Sequence, residues 1–392
     1  MKKLVDINRK SLSKGDFLKY CLVFLITFSI VVITARYATE EDFRYMIDKN
    51  ILKKIIDKDS SSVSQVEVNQ DTNPFIFAYD KYINVLSKNV LKQYNKYGVQ
   101  VGKVNVNVSV PIYDENGKYL VLADKDGQKI YMISGQSIIW NQDLEGSISK
   151  VSVNKNGYVS VVVTGTTYKT VIVVIDPEGK ILFRYFLSNS YVPTTTISDN
   201  NKYLAVGEVD YKGSIISSTI KIFSIDLAQK DPENAIVNTY KSENDAIILD
   251  IVYSDNFATC RFDKYIQKVD EKSNERILDI TDDYLFLDIG LNKNITYISK
   301  EQSGLFSFQY GLTIEDKKSK FEHLYIIDKD VPKSMVVRED KVVLNFGDNI
   351  KVVSKDGKLL KQFVSDTEIK DMIIGNDILG IIYQNKIEIV NL

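Results

Sequence analysis

The chain has 392 residues, with 50 basic and 52 acidic side chains and a formal net charge of −2. That balance gives no electrostatic footprint for nucleic acid. A single histidine, His323, and two cysteines, Cys21 and Cys260, leave little material for a histidine triad, a multi-histidine metal centre or a disulfide framework.

Residues 1–16 form a short polar tail, too small to fold alone. A charge-free run, Tyr20 to Ala35, follows it and holds neither Pro nor Gly. Residues 17–36 reach the length of roughly 17 to 25 apolar residues that a membrane-crossing helix needs, provided that Lys19 extends its amine to the interface. Tyr20 and Tyr37 are placed as interfacial aromatics. Lys2, Lys3, Arg9, Lys10, Lys14 and Lys19 precede the run. Arg36 and Arg44 follow it, beside Glu40, Glu41 and Asp42. The cation bias predicts a cytoplasmic N-terminus, a bilayer contact through residues 17–36 and an extracellular remainder. The alternative is a cleaved signal peptide ending after Ala38, although its apolar core is normally shorter, about 7 to 15 residues.

Residues 37–58 show helical spacing of Phe43, Met46, Ile47, Ile51, Ile55 and Ile56 behind the start signal Thr39-Glu-Glu-Asp42. They predict an amphipathic stalk helix. Residues 59–73, opening with Ser60-Ser-Ser62 and poor in large apolar groups, read as a linker.

From residue 74 to 392 the pattern is β. Short runs of Val, Ile, Tyr and Phe alternate with Asn, Asp, Gly and Lys clusters. Second runs open at Tyr119, Tyr158, Tyr203, Phe257, Ile295, Val342 and Ile378, about 36 to 54 residues apart. Four strands per such period is the signature of propeller blades. The expected fold is all-β: a propeller of eight blades, or seven if some N-terminal strands lie outside the ring. Closure requires the two ends to pair, because an open ring leaves unpaired edges. The last run, Lys386 to Val390, therefore needs a partner between Val66 and Tyr94. Gly127, Gly179 and Gly357 sit in hairpins and read as turn residues able to take positive φ.

No residue presents itself as catalytic, cofactor-binding or metal-binding. His323 and Cys260 read as strand residues. Asp124-Lys-Asp-Gly127 begins like a calcium loop but lacks the later ligands. It reads as a solvated turn. Asp282-Asp283 could serve glycoside chemistry only if their placement in space allowed it. Most of the 24 Tyr lie in β runs, where core packing is the default.

A basic tail, one span, a short stalk and a degenerate propeller with Asp-x-x-Gly-Lys turns, as at Asp176-Pro-Glu-Gly-Lys180, resemble a bacterial family of unknown function. Its members are single-pass membrane proteins with propeller-like outer domains. The Gly-His and Trp-Asp pairs of WD40 repeats are missing, and Trp140 stands alone where quinoproteins repeat tryptophans. The resemblance implies a fold and a location, and no activity. Two functions remain in view. One is a tethered module that binds an envelope protein or polysaccharide. The other is an exported enzyme acting on cell-wall or polysaccharide material through acidic residues in the propeller channel. Convergent desolvated carboxylates in the channel would favour the enzyme. A dry, uncharged channel with an apolar surface patch would favour binding.

Overall fold

The computed structural model describes residues 14–39, 63–69 and 73–392, except 166, 212–215, 292–293, 304–306, 317–320 and 329. Side chains are described for these residues apart from 14–19, 38, 291, 316, 321–323 and 328. Two compact units are separated between Ser61 and Ser62.

The first unit contains α1 (Lys14–Thr39), whose stretch Tyr20–Tyr37 is long and apolar enough to cross a membrane. Large apolar side chains cover α1 on all sides, with Leu22, Phe24, Leu25, Phe28 and Val31 all exposed. Its polar groups turn inward. Thr27 donates to the Val23 carbonyl and Thr34 to the Ile30 carbonyl, at 2.9 and 2.8 Å. Such back-bonding satisfies a hydroxyl without water. Thr39, read above as the start of a second helix, is the last residue of α1 and donates to the Ala35 carbonyl. The rest of the stalk, 40–58, lies outside the described residues.

The second unit is a β-propeller. Its described residues form eight four-stranded antiparallel sheets. Blades 1 to 7 span residues 75–105, 111–143, 147–187, 191–241, 248–279, 284–328 and 334–364, and blade 8 contains residues 371–391. Within each of the first seven, strand order follows chain order.

The strand patterns explain the sheets. Middle strands are packed on both faces and therefore read as continuous apolar runs. Thr170–Ile175 is buried at every position. Outermost strands alternate, because one face meets solvent. Ser137–Asp143 and Leu359–Val364 are examples. Between blades 2 and 3, Val121, Ala123, Met132, Val151, Val161 and Val173 form one continuous apolar cluster. At roughly 1.5 to 3 kcal/mol for a fully buried Val- or Met-sized side chain, such seams dominate the ring's stability.

Ring closure differs in one respect from the sequence expectation. Lys386–Asn391 does pair with a strand from the N-terminal side, but that strand is Val63–Glu67, in register from Val63 opposite Val390 to Glu67 opposite Lys386. Only Val66 and Glu67 fall inside the expected range, and the stretch read as linker supplies the closing strand. The reason is position. Val63–Glu67 is the outermost strand of blade 8, so it buries one face and needs few apolar residues. Val66 supplies its buried position. Blade 1 takes its first three strands from the N-terminal runs Phe75–Tyr79, Tyr82–Ser87 and Val90–Tyr94, as their β patterning suggests, and its fourth strand is Gln100–Asn105.

Candidate functional site

Antiparallel order sends the turn between the first and second strands of a blade, and that between the third and fourth, to one face. Call this the knotted face. The second-to-third loops and the blade-to-blade crossovers emerge on the other, the open face.

On the knotted face side chains tie one blade to the next. Arg338 of blade 7 donates from Nη2 to Asn376 Oδ1 of blade 8, at 3.0 Å. Asn376 donates in turn from Nδ2 to Asp80 Oδ1 of blade 1, at 2.8 Å. The Tyr79 hydroxyl of blade 1 donates to the Lys118 carbonyl of blade 2 and accepts from the Gly135 amide. Trp140 Nε1 of blade 2 donates to the Pro177 carbonyl of blade 3, 3.0 Å away. Its ring lies over Gly179, where a Cβ would collide with the indole and φ is +88°. Asn154 of blade 3 donates to the Ser198 carbonyl of blade 4, and Asn200 of blade 4 to the Asp255 carbonyl of blade 5.

The first strands line the central channel, and their alternation turns polar side chains inward. A cavity of about 290 Å3 lies along blades 2 to 5, with Tyr113, Asp114, Glu115, Lys150, Ser152, Thr196 and Asp250 in its wall. Burial pushes the Asp114 carboxyl above its ordinary value, although Oδ2 accepts from the Val153 amide at 2.8 Å. Burial also raises Glu115, against the opposing pull of the Arg338 guanidinium. Arg338 clamps Glu115 through both oxygens, with both side chains only 15 % and 14 % exposed. Burial likewise raises Asp288, whose Oδ1 accepts from the Gly290 amide at 2.6 Å. The Tyr113 hydroxyl is pushed up to about 12, chiefly by burial.

The channel is therefore neither apolar nor uncharged. It holds desolvated carboxylates, as an enzyme would require, yet each is bound to a partner within the fold. An acid or nucleophile needs a free oxygen facing substrate. Glu115 has both of its oxygens on Arg338. Among the described residues, no group of three or more His, Cys, Asp or Glu could hold a metal ion.

The residues singled out in the sequence lie apart from the channel wall. Asp282 and Asp283 are exposed in a turn. Asp124 is structural, since its Oδ1 accepts from the Ser109 and Val110 amides at 2.7 and 2.8 Å. In that turn Asp126, not Gly127, takes the positive φ of +63°. A Cβ at Gly127 would strike the Asp124 carboxylate, which the Ser109 and Val110 amides hold in place. Gly179 and Gly357 do take positive φ. Cys260 lies fully buried in Ala258–Phe262, and burial pushes its thiol up, the reverse of activation. His323 falls in the strand Phe321–Asp328 opposite Ile314, and its side chain lies outside the described residues.

The open face carries what sequence reasoning passed over. Outside α1, the exposed aromatic rings among the described residues are Tyr113, Tyr168, Phe186, Tyr191, Tyr211 and Phe308. Tyr113 lines the channel, and the other five lie on the open face. Tyr168 and Phe186 pack at 4.8 Å between centroids with planes 44° apart. Lys169 Nζ lies 3.5 Å from the centroid of the Tyr211 ring. Tyr168 and Tyr211 stand just outside β runs in the sequence, which was the available signal. Asp114 and Glu115 could not be found that way, since each depends on a partner in another blade.

Fold and channel together define an eight-bladed propeller with a polar, internally paired channel. The chain belongs to the Family of unknown function (DUF5711), whose sequence profile matches residues 53–392. No curated protein sequence matches it. Among solved structures, Sqt1 of Saccharomyces cerevisiae is similar with a TM-score of 0.55 and 10% identity, covering 84% of this chain and 98% of Sqt1. The C-terminal WD40 domain of Sif2 gives 0.53 and 11%, covering 84% and 99%. BamB from Moraxella catarrhalis gives 0.49 and 10%, covering 84% and 96%. At such identities the likeness to the first two speaks for the propeller fold alone.

Proposed function

We propose that this protein is a membrane-tethered recognition module. In this reading α1 crosses the bilayer through residues 17–36 with the N-terminus in the cytoplasm. The propeller stands outside and binds an envelope protein or polysaccharide. The observation that carries the reading is the division between the two faces. Side chains on the knotted face are spent on holding the ring closed. The open face offers rings at 41 % to 51 % exposure, at Phe186, Tyr168, Tyr191, Tyr211 and Phe308. Exposed aromatics are enriched where proteins meet partners. Loops on a rigid ring are well suited to recognition.

A second reading, an enzyme working in the channel, draws on the raised Asp114 carboxyl beside the 290 Å3 cavity. The commitment of Glu115 to Arg338 weighs against it.

The test places a photoreactive phenylalanine analogue in the full chain in cells, at position 186 or at Asn156, in the first-to-second turn of blade 3 on the knotted face. The reading expects cross-linked neighbours from 186 and few from 156. Protease added to wall-stripped cells should also degrade the propeller. Equal cross-linking from both positions would sink the division of labour, and full protection of the propeller would sink the topology.

A further inference from the structure

Beside the Tyr168–Phe186 pair lies a second cavity, of about 160 Å3, at the open-face end of the seam between blades 2 and 3. Its wall includes Leu144, Glu145, Tyr168, Val171, Arg184 and Phe186. We propose that it is a sugar subsite, taking one ring of a neutral envelope glycan. The inference rests on the recognition reading above and names the ligand class for this part of the open face.

Three features select that class. The first is the pair of tilted aromatic rings, 42 % and 41 % exposed. The negative faces of these rings attract the polarised C–H bonds on the flat side of a pyranose. The second is the pairing of opposite charges in one wall. A sugar hydroxyl both donates and accepts, whereas a carboxylate only accepts and a guanidinium only donates. Glu145 and Arg184 therefore serve vicinal hydroxyls together. An anionic ligand would meet Glu145, and a cationic one would meet Arg184. The third is size. Sites that enclose a drug-sized molecule run to about 300–1,000 Å3, so a cavity about half the lower bound suits one ring of a longer chain. The wall also has the mixed composition expected of a ligand site, apolar at Leu144 and Val171 with a few polar groups at the rim.

The test uses the full chain in lipid nanodiscs, with the hexamer of N-acetylglucosamine and maltohexaose as probes. Binding is followed by titration calorimetry and by saturation transfer to sugar protons. The proposal expects saturable binding of at least one hexamer. It expects Phe186→Leu to weaken that binding at least tenfold, because leucine keeps apolar bulk but has no ring. Arg184→Gln should weaken it several-fold by removing donors. Melting curves of both variants should superimpose on the parent, which separates loss of the site from loss of the fold. Absence of binding by both hexamers overturns the proposal, as does full binding by Phe186→Leu. If cross-linking from position 186 still traps a neighbour in cells while both hexamers fail, the recognition module stands and the sugar subsite falls. Equal cross-linking from both faces has the opposite meaning, since it removes the general reading and leaves the cavity's sugar affinity to be judged by calorimetry.

Discussion

The two faces of the propeller are built from the same strands and have opposite chemistry. On the knotted face Asn, Asp, Arg, Tyr and Trp side chains pass hydrogen bonds from blade 7 through blade 8 and on to blade 5. On the open face aromatic rings stay exposed, and the polar bonds are mostly to backbone. Some lie within a blade, as when Asp263 accepts from the Ile247 amide, and some between blades, as when Ser218 of blade 4 accepts from the Ile248 amide of blade 5. A closed ring needs its blades held in sequence, and short turns at one end are the cheapest place to do so. The open end shares that duty through fewer side chains, as in the backbone bonds between Asp126, Gly127 and Ile148 of blades 2 and 3, and leaves its aromatic rings exposed. Substitutions on the knotted face should cost stability, and those on the open face should cost binding.

The largest effect concerns the strand that the knots protect. Lys386–Asn391 lies between Val63–Glu67 and Ile378–Ile382. Ile387, Ile389 and Val390 are completely buried. Deleting residues 386–392 from the full chain removes three core side chains and two ladders at once, and it strands Val63–Glu67. The loss should be several kcal/mol, on the order of the propeller's whole stability. A thermal melt checks this, and an unchanged midpoint would make the C-terminal strands an appendage.

Next is the clamp at the channel. Glu115→Gln leaves the Arg338 guanidinium without its counter-ion. Breaking a fully buried pair costs about 3 to 5 kcal/mol. The partial exposure of both side chains softens this one, so about 2 kcal/mol is expected from denaturant unfolding. The double variant Glu115→Leu with Arg338→Met removes both charges but also the Arg338 bonds to Asn376 of blade 8, so it should recover only part of that loss. If the double variant is worse than the single one, the clamp contributes more than mutual charge compensation.

Asp114 should show the opposite sign. Burial raises its folded-state pKa above the unfolded value. The protonated form is thus favoured by folding, and that contribution is present below the unfolded pKa and lost as pH rises through the folded one. Asp114→Asn keeps an acceptor for the Val153 amide and removes the buried charge. It should be more stable than the parent at neutral pH, and the difference should vanish as pH falls below the unfolded Asp value of about 3.9. A gain that persisted unchanged into acid would trace to packing instead of charge.

The strands were legible because burial on two faces writes continuous apolar runs, as at Thr170–Ile175. Their number and spacing favoured eight blades over seven, and eight sheets are present among the described residues. The closing strand was legible only from one side. Lys386–Asn391 is a middle strand with three fully buried residues, whereas Val63–Glu67 is an outer strand with Ser64, Gln65 and Glu67 in view of solvent. The channel was not legible. Glu115 and Arg338 are 223 residues apart, and their meeting depends on the ring being closed. The open-face rings left a weak trace, as tyrosines outside the β runs at positions 168 and 211.

The smallest stability effect is expected where the functional claim is strongest. Phe186 is 41 % exposed, and its ring contact is with Tyr168, itself 42 % exposed. Neither ring sits in the apolar seam that holds blades 2 and 3 together. Truncating Phe186 to Ala therefore opens no buried cavity and leaves no polar group unpaired, the two usual sources of a large loss. The lost ring contact is at the low end of about 0.5–1.5 kcal/mol because water already reaches both partners. The variant should unfold within about 0.5 kcal/mol of the parent. A loss above about 2 kcal/mol would mean that Phe186 belongs to the core and that the open face is held together much as the knotted face is.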